Sequence, residues 1–117
     1  MKSFLVLILI LAATFRSGKA EEPTIWTPDM LVIGKLESMI PTVAKYGRFY
    51  TGVFVKGEQI IQGELIVPKE GMYLTVGAYI VASVRDLPLI SDGGCEVIHL
   101  VYDVNTTRFL YFKCGGR

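Results

Sequence analysis

The chain has two cysteines, one histidine, one tryptophan and five prolines in 117 residues. Each scarcity excludes something. One histidine and two cysteines, with no CxxC or HxxxH spacing, fall short of the four clustered ligands of a structural zinc site, so no metal and no other cofactor is expected. The histidine, His99, is also the sole base on which a nucleophilic triad can be built. Three serines follow the first twenty residues, Ser38, Ser83 and Ser91, and none stands in a Gly-x-Ser-x-Gly elbow. Gly93-Gly94 and Gly115-Gly116 lack the strand-to-helix context of a phosphate loop. No Lys/Arg run occurs, which argues against displacing the counterions of a nucleic acid. There is no internal repeat and no low-complexity tract.

The chain also lacks an apolar stretch of the roughly 20 residues that a membrane span takes. Its longest run, Phe4 to Phe15, follows the basic start Met1-Lys2-Ser3. Small residues come next, at Gly18 and Ala20, the two positions a signal peptidase reads, and then acidic Glu21-Glu22. The pattern predicts a secretory signal peptide over 1–20, cleaved after Ala20, and a single secreted, extracellular β domain over 21–117. Removing 20 of 117 residues leaves 97, one small domain. Lys2, Arg16 and Lys19 leave with the signal peptide. The balance of 12 basic and 11 acidic residues becomes 9 and 11, so the net charge of +1 turns into −2.

In an oxidising compartment Cys95 and Cys114 are expected to form one disulfide. The rest of the mature chain is β-like. Glu21 to Pro28 reads as an extended arm, with Trp26 as its anchor on the core. Met30-Leu31-Val32-Ile33 reads as a short apolar strand closed by Gly34. Phe49 to Lys56 alternates, with Phe49, Thr51, Val53 and Val55 on one side. Lys56-Gly57-Glu58-Gln59 is a hairpin turn, and Ile60 to Val67 the return strand. Met72 to Val84 is rich in β-branched and aromatic residues and reads as a long strand with a bulge at Gly77, a buried helix being the alternative. Together these predict an all-β fold, a small antiparallel β-sandwich or barrel with one cross-strand disulfide.

Glu96 to Val104 and Thr107 to Cys114 read as a C-terminal hairpin. Placing Cys95 opposite Cys114 also places Glu96 opposite Lys113, and leaves a two- or four-residue loop around Asn105. Asn105-Thr106-Thr107 is an N-glycosylation sequon that falls on this turn, so Asn105 is the expected glycosylation site. Asp86, Asp92 and Asp103 each sit at a turn, where aspartate is common for local reasons. A 97-residue domain is little scaffold for a paired-carboxylate glycosidase. Most aromatics are assigned to the core. A surface strip of Trp26, Tyr46, Arg48 and Tyr50 is the second reading, and the candidate binding surface.

Several motifs resemble a family of small insect secreted proteins, the probable salivary secreted peptides or activator of multiprotein bridging factor. They are the early Ile33-Gly34-Lys35, the step Ile90-Ser91-Asp92-Gly93-Gly94, the alternating Val97-Ile98-His99-Leu100, and the apolar strand Phe109 to Gly115. Arg85-Asp86-Leu87-Pro88 stands where that family has a Gly-rich stretch, and the cysteine pair is not a family hallmark. The resemblance implies an extracellular β protein of insect fluids and assigns no catalytic residue. The co-activator activity in the family name does not fit a signal peptide.

The function expected is a small secreted non-enzymatic factor, binding or regulatory, in saliva, venom, haemolymph or seminal fluid. Its partner would be an extracellular protein, a glycan or a small apolar ligand, with no nucleic acid and no membrane span. The alternative is a small secreted hydrolase using His99 with a nearby carboxylate. Exposure of Trp26 together with Tyr46 to Tyr50 would favour the binder. A cleft joining His99 to a carboxylate and a serine would favour the enzyme.

Overall fold

A computed structural model describes residues 24–88, 90 and 93–115. The expected signal peptide lies outside them, as do Leu89, Ser91 and Asp92. The described chain forms β1 (Ile25–Trp26), α1 (Met30–Glu37), β2 (Gly47–Val55), β3 (Glu58–Ile66), β4 (Gly77–Ile80), β5 (Val97–Asp103) and β6 (Arg108–Cys114). The strands make one sheet in the order β1-β2-β3-β5-β6, with β4 parallel to β2. The other pairings are antiparallel. This is the small antiparallel β fold expected, and its sheet is not closed into a barrel.

The β2–β3 hairpin turns on Lys56-Gly57. Val55 faces Glu58, and both turn residues take positive φ, 53° and 81°. That is the two-residue turn whose twist matches the flanking strands, and glycine adopts it without strain. β1 and β4 share the outer edge of β2. Trp26 pairs with Gly52, while β4 runs alongside Gly47 to Tyr50.

Met30 to Ile33 forms the start of a helix rather than the predicted strand. Asp29 caps it, its Oδ1 accepting from the Val32 amide at 3.0 Å. The amide of Ser38 closes the other end on the Gly34 carbonyl. Ile33, Leu36 and Ile40 recur at helical spacing and are buried. They pack on Tyr50, Ile61, Leu65, Ile98, Leu100 and Tyr102, one face of the sheet. Tyr50 lies over Gly63, where a Cβ would come within 2.8 Å of the ring.

The long strand predicted over Met72 to Val84 shrinks to Gly77–Ile80. Parallel strands need a crossover connection, and β4 and β5 both run parallel to β2. The chain therefore leaves β4 at Ile80 and crosses the sheet through residues 81–96. Two 3-10 turns lie along this path, Val84–Asp86 and Gly94–Glu96. Strand geometry could not persist through a segment that must change sheet position.

The last hairpin forms, but its register differs from the one predicted. Ile98, not Cys95, faces Cys114, and His99 faces Lys113. The turn and a bulge between Val101 and Tyr102 are the causes. Asp103 Oδ1 accepts from the amides of Asn105 and Thr106, Thr107 turns left-handed, and Asp103 pairs with Arg108. Glu96 pairs with Lys69 at 2.5 Å instead of Lys113. The disulfide between Cys95 and Cys114 still forms, with Cα atoms 4.4 Å apart. Cys95 reaches it from the Gly94–Glu96 turn rather than as an opposed strand residue. Gly93 and Gly94, at φ 142° and 60°, make that turn accessible.

Candidate functional site

The residues of the expected aromatic strip hold the fold together instead of forming a surface. Tyr46 and Tyr50 are 3% and 0% exposed. Tyr46 donates its hydroxyl to the Cys95 carbonyl at 2.8 Å, tying β2's approach to the disulfide turn. Tyr50 donates to Glu37 Oε2 at 2.8 Å, and Arg48 Nε donates to the same oxygen at 2.8 Å. Arg48 also donates through Nη1 to the carbonyls of Val43 and Tyr46. Burial first, and Glu37 second, push the Tyr50 phenol far above its ordinary value. Trp26 is half-buried against the core and donates Nε1 to the Val53 carbonyl at 2.9 Å, the anchoring role expected of it. These residues therefore fasten α1 and the N-terminal arm to the sheet, and the surface reading falls with the burial of Tyr46 and Tyr50.

Asn105 is exposed at the hairpin tip, where its Nδ2 donates to Glu58 Oε1 at 3.2 Å. The described serines Ser38 and Ser83 each serve a local turn. Ser38 donates to the Lys35 carbonyl at the end of α1, and Ser83 to Asp86. Among the described residues no group of three His, Cys, Asp or Glu side chains is placed to hold a metal ion.

Chemistry collects on the other face of the sheet. Side chains alternate along a strand, so Ile61 and Leu65 face α1 while Gln62 and Glu64 face away. On β5, Ile98 and Leu100 face α1, while His99 and Val101 face away. The β3–β5 register sets Glu64 opposite His99 and Gln62 opposite Val101, and Tyr111 of β6 continues the second row. His99 is 5% exposed, and its Nδ1 is hydrogen-bonded to Glu64 Oε2. Nε2 of the same ring is buried with no hydrogen-bond partner among the described residues.

A cleft of about 400 Å³ lies over this pair. Gln62, Glu64, His99, Val101 and Tyr111 line it from the sheet, and Val84 from the crossover connection. Its size is at the small end of the roughly 300–1,000 Å³ usual for ligand pockets. Apolar walls over a floor with few polar groups are the usual composition of such a site. The arrangement can orient a small molecule by hydrogen bonding. A carboxylate that fixes one ring nitrogen is also the arrangement of a general base, although here the other nitrogen is buried.

Glu64 was not singled out from sequence. It sits between glycine and leucine in an apolar return strand, and its partner is 35 residues away. An acid inside such a strand, Gly63-Glu64-Leu65-Ile66, was the available signal. Its meaning depended on β3 pairing with β5. Comparison with family models, with curated proteins and with solved structures finds no match for this chain.

Proposed function

We propose that the protein is a secreted, non-enzymatic binding domain whose ligand is a small, largely apolar molecule held in the cleft over Glu64 and His99. One observation carries this reading. The buried Glu64–His99 pair, whose ring Nε2 has no hydrogen-bond partner among the described residues, lies at the floor of an apolar cleft. Buried polar atoms are nearly always hydrogen-bonded, and the exceptions call for an explanation. A ligand that enters the cleft and displaces the cover over this nitrogen would supply one. The disulfide fits the extracellular setting that the N-terminal sequence suggests.

A hydrolase is the second reading, and the Glu64–His99 pair favours it, because an oriented imidazole is the core of a general-base device. Against it, no serine, cysteine or threonine is among the described residues lining the cleft. A water-activating mechanism would then be required.

Titration with the neutral fluorophore N-phenyl-1-naphthylamine tests the proposal. Saturable binding is expected, and Val101→Trp, which fills the cleft, should abolish it. No binding, or binding unchanged in the variant, refutes the cleft. Hydrolysis of p-nitrophenyl acetate that disappears in His99→Phe would transfer the assignment to the enzyme.

A further inference from the structure

We infer that a second cleft on the same face of the sheet binds a monocarboxylate with a hydrocarbon chain, its carboxylate held by Arg85. Neither Glu64 nor His99 takes part in this site.

Strand pairing places the cleft. Ile25 of β1 faces Val53 of β2, and Val53 faces Ile60 of β3, so the three side chains share one side of the sheet. Ile60 stands two residues from Gln62, which makes this the face that carries Glu64 and His99. Val84 of the crossover lines both clefts, one toward β5 and β6 and the other toward β1. The second cleft measures about 710 Å³ and lies between Ile25 and Val53 on the sheet and Ser83, Val84 and Arg85 on the crossover, with Thr24 completing the lining. That volume is within the roughly 300–1,000 Å³ usual for ligand pockets.

The lining suits an apolar molecule that carries one negative charge. Ile25, Val53 and Val84 are aliphatic, and Ile25 and Val84 are exposed. Arg85 is the single charged residue of the lining, and among the described residues it has no hydrogen bond and no ion pair from its side chain. The neighbouring acid, Asp86, accepts from Ser83 instead, at 3.3 Å. One guanidinium compensates one negative charge, and its planar fork matches the two oxygens of a carboxylate. The hydrocarbon chain of such an acid covers the exposed aliphatic side chains, which water covers poorly. A neutral hydrocarbon makes no use of Arg85, and a compact anion such as phosphate leaves the aliphatic walls in water.

The test uses octanoate and 1-octanol, two probes with the same chain, titrated at neutral pH into the intact disulfide-bonded protein. Binding is followed through the methyl resonances of Ile25, Val53 and Val84. Octanoate should bind there saturably and about tenfold more tightly than octanol, the low end for a hydrogen bond to a charged group because Arg85 is exposed. In Arg85→Gln octanoate should fall to the affinity of octanol, and octanol should bind as before. Val101→Trp, which fills the other cleft, should leave octanoate binding unchanged. Octanoate no tighter than octanol, or bound equally well by Arg85→Gln, overturns the role of Arg85. No shift at the three methyl-bearing residues, or loss of octanoate binding in Val101→Trp, overturns the second cleft. Should Arg85→Gln fail to fold, the preference for octanoate in the native protein decides alone.

Discussion

The Glu37–Arg48–Tyr50 cluster invites a quantitative test of what joins the helix to the sheet. Replacing Tyr50 by Phe removes one hydroxyl and keeps the ring that lies over Gly63. The lost hydrogen bond runs from a buried phenol to a carboxylate, at 2.8 Å. Bonds to charged groups contribute about 1.5–3 kcal/mol. Glu37 keeps Arg48 Nε on the same oxygen, and its side chain is 15% exposed, so water can replace part of the loss. The expected cost is therefore near the lower limit, about 1.5 kcal/mol. For a domain of this size that is a melting-point drop of about 6–12 °C. Tyr46→Phe is the control. Its hydroxyl donates at the same distance, 2.8 Å, but to the neutral Cys95 carbonyl, so it should cost about 1 kcal/mol or less. Urea unfolding with the disulfide intact measures both, and an unchanged m-value confirms a common unfolded state. A double-mutant cycle with Glu37→Gln should find coupling of at least about 0.5 kcal/mol between Tyr50 and Glu37. Additive losses, or Tyr46→Phe costing more than Tyr50→Phe, would refute the charge-assisted account.

Other predictions concern the frame. Peptide mapping without reductant should recover Cys95 joined to Cys114, and Cys95→Ala/Cys114→Ala should cost about 3 kcal/mol for a loop of this length; free thiols in the protein would contradict the pairing. Gly52→Ala places a Cβ 2.4 Å from the Trp26 carbonyl and 2.7 Å from its indole, so it should release the N-terminal arm and shift the emission of the lone tryptophan to the red. An unshifted spectrum would mean that the arm does not rest there. Burial raises the phenols of Tyr50 and Tyr102, so both should resist ionisation when absorbance at 295 nm is followed upward in pH. Because the folded state holds these protons more tightly, their contribution is complete below the unfolded value of about 10 and is lost as pH rises above it. Six tyrosines titrating together before unfolding would rule this out. Protein secreted from a eukaryotic host should lose mass on treatment with an N-glycosidase, and Asn105→Gln should remove the effect.

Local signals were legible where chemistry is local. The Lys56-Gly57 turn and its two strands follow from positive-φ preference and alternation, and the cysteine pairing from the number of cysteines. The helix at Met30–Glu37 was readable in principle. Thr27-Pro28-Asp29 is a start signal, and Ile33, Leu36 and Ile40 keep helical spacing. The apolar run Met30 to Ile33 concealed it, since four consecutive apolar residues carry no period. The hairpin register was misread because two agreements, Cys95 with Cys114 and Glu96 with Lys113, coincided by chance. The turn, which closes Asp103 on Arg108, and a bulge between Val101 and Tyr102 decide the register instead. The candidate site was half legible. His99 stood out by being alone of its kind, but Glu64 became its partner only through a pairing between strands distant in sequence.

The two faces of the sheet show why the site is where it is. On the helix side, aliphatic and aromatic residues meet α1, and the polar atoms there serve attachment: Glu37 accepts from Arg48 and Tyr50 across the interface. A helix covers its face closely because its buried residues repeat at fixed spacing. The opposite face has no such cover. The crossover from β4 to β5 brings Val84 over it, and the described part of that connection holds two short 3-10 turns and no longer helix. Irregular chain cannot interdigitate with a flat row of side chains as a helix does, so a cleft remains where Val84 stands over the sheet. The Glu–His pair occupies the floor of that cleft and not the well-packed face. A pair kept for stability alone would gain from the closer packing, since buried ion pairs are seldom more stabilising than apolar residues of the same volume. Its position under the imperfect cover is what a binding role requires.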